Sequence, residues 1–234
     1  IEIKNIDEAY LIQDSFINLK KKNGFGEIGG WKVALTNPEM QKLVGVDNPV
    51  EGAILNSLIY KNNVSLKLEN YCHLGVEAEI ALKIHKDIPS KINGFNSKEE
   101  ITPYLKEVMI ALEIVDDRNS GANITFEKLI AQNSMNYGCV IGEPIEMDLM
   151  TLDELEGELI VSDNIFGRGK GKNVLQHPLN SVLYLVNNLI KRGRKLYAGD
   201  IVLTGSISTT CWPKSGDKVE AHIDKLNTVS LNIF

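Results

Sequence analysis

An alternation of glutamate with apolar residues at positions 75–81 constrains this chain more than any other feature of its sequence. The segment reads Gly-Val-Glu-Ala-Glu-Ile-Ala. Successive side chains of an extended strand point to opposite faces. The pattern therefore predicts a strand that packs its valine, alanine and isoleucine on a core and presents Glu77 and Glu79 together on the other face.

Two carboxylates this close repel each other unless a cation or a shared proton compensates them. A third acid, Glu113, lies in a second apolar run at positions 108–115, where burial without a partner would cost several kcal/mol. We therefore predict a divalent metal ion held by Glu77, Glu79 and Glu113. The alternative is a solvated acidic strand face with an unrelated Glu113.

Composition limits the partners and the compartment. The chain has 234 residues, 43% of them hydrophobic, and no linker rich in proline, serine or glycine, so we expect one domain. The formal net charge is −6 with scattered basic residues, which argues against nucleic acid and anionic membranes as partners. Three widely separated cysteines fit a reducing cytoplasm. No apolar run reaches the roughly 20 residues that cross a bilayer.

Periodicity and turn residues give a coarse order of elements. Helices are predicted at positions 6–22, 38–44 with Asn37 as the cap, about 98–107, and 178–191. Strands are predicted at 29–35, 64–68, 77–84, from Glu113 onwards, 135–141, 155–161, 201–204, 218–223 and 228–234, with a hairpin turn at Asp163 and Asn164. Because strands outnumber helices, we expect a β-rich α+β fold.

Several short blocks of sequence, taken together, resemble a known family. They are Ala9-Tyr10-x-x-Gln13, Gly30-x-Lys32-Val33-x-Leu35-Thr36, Gly45-Val46-Asp47-x-Pro49-x-x-Gly52, Glu77-Ala78-Glu79-Ile80-Ala81, Ala111-Leu112-Glu113-Ile114, His177-Pro178-Leu179 and Ala198-Gly199-Asp200-Ile201-Val202-Leu203-Thr204-Gly205. In this order and spacing, the chain resembles the 2-keto-4-pentenoate hydratase and 4-oxalocrotonate decarboxylase branch of the fumarylacetoacetate hydrolase superfamily, nearly from end to end.

The resemblance implies a fold and a cofactor. The fold is an α+β type, a β-rich mixed roll or distorted barrel with flanking helices, as in the fumarylacetoacetate hydrolase C-terminal domain. We expect a single catalytic domain over 1–234, with a short helical part at about 1–28 before the β-roll core. The implied cofactor is Mg²⁺ or Mn²⁺ at Glu77, Glu79 and Glu113, which agrees with the site predicted from charge and periodicity.

The resemblance also implies a substrate and residues that contact it. The substrate is a small 2-oxo or 2-hydroxydienoic acid. Lys32 is the expected catalytic residue, for proton handling or charge balance, because a lysine on a buried strand is costly unless it faces an anion. The alternative for Lys32 is a strand-end lysine whose amine reaches water. Thr36, Asn133 and Ser206 are expected to bind the substrate, although each also suits a turn or a cap.

We favour a hydratase that adds water to 2-hydroxypenta-2,4-dienoate (2-keto-4-pentenoate) to give 4-hydroxy-2-oxopentanoate. The alternatives are a 4-oxalocrotonate (2-oxo-3-hexenedioate) decarboxylase, a related carbon–carbon bond hydrolase, and a non-catalytic or assembly subunit of the same fold. The chain has Val50 followed by Glu51 where some hydratases carry an aspartate directly after the proline. We expect a cytoplasmic homo-oligomer that associates with a related pathway enzyme.

Overall fold

The computed structural model describes residues 2–90, 93–118 and 124–234, with residues 43 and 44 given by backbone alone. These ranges contain five α-helices and thirteen strands. The helices are α1 (Ile6–Lys20), α2 (Pro38–Val44), α3 (Lys98–Ile101), α4 (Phe126–Ala131) and α5 (Pro178–Lys191). The strands are β1 (Ile28–Ala34), β2 (Val50–Leu55), β3 (Ile59–Lys61), β4 (Val64–Leu66), β5 (Leu74–Ile84), β6 (Leu105–Asp116), β7 (Asn136–Ile141), β8 (Ile145–Glu146), β9 (Glu156–Val161), β10 (Asn164–Lys170), β11 (Ile201–Ser206), β12 (Lys218–Ile223) and β13 (Val229–Ile233).

The strands form two sheets. Seven strands of the larger sheet follow the order β2-β1-β11-β5-β6-β7-β3, and β8 pairs with β6. β1 is parallel to β11 and β3 is parallel to β7, whereas the other pairs of this sheet are antiparallel. The smaller sheet has the order β10-β9-β12-β13-β4. Within the described ranges neither sheet closes into a barrel, so the expected β-rich α+β fold with flanking helices is confirmed in an open form.

The two long strands β5 and β6 pair antiparallel and form the centre of the larger sheet. On one face, Val76, Ala78 and Ile80 are fully buried in the main core, as predicted. The smaller sheet packs on this face through β12 and β13. The opposite face carries Glu77 and Glu79, and beyond them a second apolar cluster, which we call the Ile54 cluster. Its buried members are Ile54, Ala81, Met109, Ala111, Cys139, Ile201 and Leu203.

Two helices, α2 and α5, have the predicted bounds, and each begins with a proline preceded by a capping side chain. α2 begins at a proline, and the Asn37 side chain accepts a backbone N–H of its first turn. α5 also begins at a proline, and His177 caps it by accepting a backbone N–H through Nδ1. The predicted start of this helix at position 178 is therefore confirmed.

The helix predicted at positions 98–107 is wrong. α3 ends at Ile101, and a single 3-10 turn containing Pro103 follows it. Proline cannot donate a backbone hydrogen bond inside a helix. β6 begins directly afterwards at Leu105, where pairing with β5 supplies the hydrogen bonds instead. Glu113 consequently lies in the second half of β6 and not at the start of a strand.

Three smaller differences remain. β2 was not predicted, because all six of its residues are buried and its sequence lacks the alternation of a half-exposed strand. The hairpin turn between β9 and β10 lies at Ser162 and Asp163, one residue earlier than predicted, with positive φ at both. α1 ends at Lys20, and a π-helical turn continues to Phe25.

Among the described residues, no helix combines the length and apolar character that a bilayer crossing requires. Cys72, Cys139 and Cys211 are free thiols. The single catalytic domain over 1–234, with a helical part at about 1–28, stays a prediction.

Glu51 of β2 is fully buried at the centre of a polar network that joins α1, β2 and α5. Arg192, which follows α5, donates to Glu51 Oε1 at 2.5 Å and to Asp14 at 2.9 Å. Asn188 and Tyr10 donate to Glu51 Oε2 at 2.7 and 2.8 Å. The network fastens both helices to the larger sheet around a charge that the chain itself neutralises.

Replacing Arg192 with methionine should lower the free energy of unfolding by about 3–5 kcal/mol, because the Glu51 carboxylate then stays buried without its cation. Urea denaturation followed by circular dichroism measures this loss. The matched control is Lys83→Met, which removes an ion pair with Glu107 near the surface. Since such pairs contribute little, the control should barely move the urea midpoint. Equal losses in the two variants would show that the network is not what holds the helices.

Candidate metal centre

Three glutamates converge on one face of the β5–β6 pair. Glu77 and Glu79 share a face of β5, and Glu113 of β6 lies directly opposite Glu77 in the strand register. One carboxylate oxygen from each residue lies within 4.8 Å of the other two. The structure thus brings together the three residues that the sequence predicts as metal ligands.

Glu113 is fully buried and is held by two side chains from other strands. Lys32 Nζ lies 3.1 Å from its Oε1 and 3.2 Å from its Oε2. Asn136 donates to Oε1 from Nδ2 at 2.9 Å. These contacts bring β1 and β7 to the carboxylate group from opposite sides of β5 and β6 in the strand order.

The two carboxylates of β5 differ in exposure and in their partners. Glu77 is partly exposed and accepts a hydrogen bond from the Thr210 hydroxyl. Glu79 is fully buried, and its Oε2 accepts the Gly205 backbone N–H at 2.7 Å. Among the described residues, nothing donates a hydrogen bond to Glu79 Oε1. The site therefore contains a buried carboxylate oxygen with unused capacity.

Burial raises the pKa of Glu77 and raises that of Glu79 well above its usual range. The Glu113 carboxylate adds to both shifts, and the Lys32 ammonium opposes them. For Lys32 itself, burial lowers the pKa, but the three carboxylates outweigh it, so the pKa is raised. One ammonium faces three carboxyl groups, so full ionisation would leave the site with excess negative charge.

This donor set fits a hard divalent cation. Carboxylate oxygens are the ligands that Mg²⁺ and Mn²⁺ prefer. A cation would supply the contact that Glu79 Oε1 lacks and would favour the charged forms that burial disfavours at Glu77 and Glu79. Mg²⁺ usually keeps several positions for water or substrate. Three protein carboxylates therefore leave room for a chelating small molecule.

Lys32 is 3% exposed and ion-paired, so the alternative of a lysine whose amine reaches water does not describe its position. It lies in β1 opposite Gly52 of β2. Glu51 is paired with Val33, and neighbouring residues of a strand face opposite sides. Glu51 therefore points away from the Lys32 face, and its network is separate from the carboxylate trio.

The three residues expected to bind substrate have different surroundings. Thr36 is buried against Gly205, where an added Cβ would fall 2.3 Å from its Oγ1, so only glycine fits there. Asn133 uses its amide on the backbone N–H and carbonyl of Ala53, at 2.7 and 2.8 Å. Ser206 donates from Oγ to the Ser208 carbonyl at 2.7 Å. Their role in binding substrate stays a prediction.

Several residues that contact the trio were not found from the sequence. Asn136 and Thr210 reach it from β7 and from the loop after β11, and neither stands in a recognisable pattern. An isolated backbone bridge between Val76 and Cys211 brings Thr210 to Glu77. Contacts of this kind depend on strand pairing between distant segments, for which one sequence has no signal.

The larger of two open mixed sheets carries a glutamate trio, and comparison with protein families identifies the class of protein that has this arrangement. The model described as fumarylacetoacetate (FAA) hydrolase C-terminal matches residues 54–233. The chain belongs to this family. The three glutamates lie inside the matched range, whereas Lys32 precedes it.

Curated relatives place the similarity in one branch of the family. The 2-keto-4-pentenoate hydratase of Burkholderia vietnamiensis is 33% identical over 222 residues, which cover 94% of this chain and 83% of the relative. The 2-keto-4-pentenoate hydratase 1 of Dechloromonas aromatica is 31% identical over 232 residues, covering 98% and 86% of the two chains. The family branch inferred from the sequence blocks is confirmed.

Among solved structures, 4-oxalocrotonate decarboxylase from Pseudomonas putida G7, complexed with magnesium and adipate, superposes with a TM-score of 0.91. The superposition covers 98% of this chain and 86% of that one, at 22% sequence identity. At this identity the likeness shows the fold alone, which confirms the expected fold type.

Replacing Glu79 with glutamine should stabilise the metal-free protein at pH 8. Burial raises the folded-state pKa of Glu79, so its contribution to the fold is fully present below the unfolded pKa and is lost as the pH rises through the folded pKa. The neutral amide removes that loss. Thermal unfolding in EDTA should therefore give a higher Tm for the variant at pH 8, and the difference should shrink as the pH approaches 4.5.

Metal ions should reverse the order of the two Tm values, so that the wild type becomes more stable than Glu79→Gln. Added Mg²⁺ or Mn²⁺ should raise the Tm of the wild type and have little effect on Glu79→Gln, because only a ligand bound by the folded state stabilises it. The control is Glu107→Gln, on β6 but paired with Lys83. It should respond to the metal as the wild type does. A metal-induced rise in Glu79→Gln as large as in the wild type would remove Glu79 from the ligand set.

Proposed function

We propose that this chain is a divalent-metal-dependent hydratase that adds water to 2-hydroxypenta-2,4-dienoate to give 4-hydroxy-2-oxopentanoate. The observation that carries the proposal is the convergence of three carboxylate oxygens within 4.8 Å beside a buried, ion-paired lysine. Family membership and the names of its curated relatives support the same reaction. Its homo-oligomeric state, its association with a pathway enzyme and its cytoplasmic location stay predictions.

Glu77, Glu79 and Glu113 would hold Mg²⁺ or Mn²⁺. When bound, the cation would be chelated by a 2-oxo carboxylate and would stabilise negative charge on the 2-oxygen. Thr210 and Asn136 hold two of the carboxylates from the side of the protein. The chain contributes a preset arrangement of ligands, which does not have to form as substrate arrives.

Lys32 is the proposed catalytic residue. Its raised pKa keeps the amine protonated near neutral pH, so it can donate a hydrogen bond or a proton to a substrate at the trio. The reaction first places a proton on C5 of the dienol while the 2-hydroxyl gives up its proton, which gives a conjugated 2-oxo-3-enoate. Water then adds its hydroxyl to C4 and its hydrogen to C3. In both steps, Lys32 balances the negative charge on the 2-oxygen of the enolate form.

The surroundings of the trio restrict how substrate and water approach. The Ile54 cluster closes the interior end beyond Glu79, since all its members are buried. Glu77 is the one of the three glutamates with exposed surface. A substrate therefore reaches the carboxylates from the Glu77 end. Exclusion of water at the other end strengthens the electrostatic contacts of Glu79, Glu113 and Lys32.

An assay of freshly generated 2-hydroxypenta-2,4-dienoate with Mg²⁺ or Mn²⁺ tests the proposal. The ultraviolet absorbance of the dienol should disappear, 4-hydroxy-2-oxopentanoate should form, and no CO₂ should be released. A parallel assay with 2-oxohex-3-enedioate measures decarboxylation by its CO₂. Release of CO₂ from that substrate without hydration of the dienoate would replace the proposal by the decarboxylase. Inactivity on both substrates with metal bound would favour a non-catalytic member.

Glu77→Gln and Lys32→Met should separate metal binding from catalysis. Loss of a ligand at Glu77 should weaken Mg²⁺ binding in calorimetry and reduce turnover by about a hundredfold or more. Lys32→Met keeps the trio, so metal should still bind, while kcat should fall by about 10²–10⁴ as expected for loss of a proton-handling group. Wild-type turnover in Lys32→Met would exclude the proposed role of Lys32.

A further inference from the structure

Two exposed aromatic rings lie beside the carboxylate trio. The Trp212 indole and the His73 imidazole stack with their centroids 4.1 Å apart and an interplanar angle of 11°. Trp212 is 42% exposed. The stacked pair offers a flat aromatic surface that another planar molecule could cover.

The position of the indole is fixed by Gly75. This glycine precedes Glu77 by two residues in β5, so both face the same side of the sheet. A Cβ on Gly75 would lie 2.9 Å from Trp212 Cζ3 and 3.1 Å from Thr210 Cγ2. The ring therefore covers the backbone at Gly75, next to the threonine that donates to Glu77.

The two ends of the carboxylate trio differ in burial. The Ile54 cluster and Glu79 are buried, Glu77 is partly exposed, and Trp212 lies beyond it at the surface. Within the described part of the chain, Glu77 is the ligand with exposed surface, so we expect a small molecule to approach the carboxylates from its end. A molecule held at the trio by its 2-oxo acid group would extend its remaining carbons towards Trp212.

We propose that Trp212, stacked on His73, is a specificity-determining wall that packs against the distal unsaturated carbons of the substrate. This inference rests on the proposed function and names the class of substrate within it: a planar, conjugated chain with an uncharged distal end. The face of an indole carries partial negative charge and favours flat apolar partners over a carboxylate. Asp117 Oδ2, 3.9 Å from His73 Nδ1, adds negative charge at the same end.

Binding of unreactive 2-oxo acids tests the contact without turnover. In the presence of Mg²⁺, calorimetry should give a lower Kd for 2-oxopentanoate than for pyruvate, by about tenfold for two additional buried methylene groups. In Trp212→Ala the advantage of 2-oxopentanoate should disappear while the Kd of pyruvate stays close to that of the wild type. Trp212→Phe should recover most of the advantage, because it restores an aromatic surface.

Kinetics with 2-hydroxypenta-2,4-dienoate test the consequence for the substrate. Trp212→Ala should raise KM for 2-hydroxypenta-2,4-dienoate by about tenfold with kcat changed by less than about threefold, the pattern expected when a contact of equal strength in the ground state and the transition state is lost. The matched control is Phe166→Ala on the outer strand β10, since Phe166 is 49% exposed and lies on the smaller sheet. Its KM should not change.

The outcomes separate the wall from the reaction. The wild type could bind 2-oxopentanoate more tightly than pyruvate, lose this advantage in Trp212→Ala, and yet fail to hydrate 2-hydroxypenta-2,4-dienoate. That result would overturn the proposed function and support the wall. Hydration by the wild type together with an unchanged chain-length advantage in Trp212→Ala would overturn the wall alone. Equal weakening of pyruvate and 2-oxopentanoate in Trp212→Ala and Trp212→Phe, with a lowered Tm, would show that Trp212 only supports the strand at Gly75 and would also overturn it.

Discussion

Mutual repulsion among Glu77, Glu79 and Glu113 is the interaction on which this structure depends. Three carboxylates lie within hydrogen-bonding range of a common point, and Lys32 alone carries a compensating charge among their described contacts. Buried like charges raise one another's pKa and weaken the fold at neutral pH. Such an arrangement persists where a ligand bound by the folded protein offsets the cost. The stability of the sheet centre and the capacity to bind a cation are thus linked.

Strand geometry determines where this charge can be placed. Alternation along β5 puts two glutamates on one face, and the antiparallel register with β6 puts the third opposite Glu77. The same alternation sends Val76, Ala78 and Ile80 into the main core. A one-residue slip of β5 would move the apolar set to the acidic face and the glutamates into the core. The core therefore fixes the register that assembles the site.

The sequence predicts those features that depend on neighbours in the chain. The alternation of β5, the cap of α2, the bounds of α5 and the family blocks are read from neighbouring residues, and each is confirmed. The start of β6 and the course of β2 depend on pairing with distant strands, and the prediction was wrong or silent there. Asn136 and Thr210 reach the trio for the same reason. A pattern along one strand cannot state which residues a folded chain brings beside it.

Comparison of the two buried acidic groups distinguishes a structural from a functional role. Glu51 accepts hydrogen bonds from Arg192, Asn188 and Tyr10, so its charge is matched by the chain. Glu79 accepts one backbone hydrogen bond on Oε2, and its Oε1 has no partner among the described residues. Both are fully buried, so burial alone does not separate them. The separation comes from unmet bonding capacity, because a buried acid that the fold leaves unsatisfied is one that an external ligand can complete.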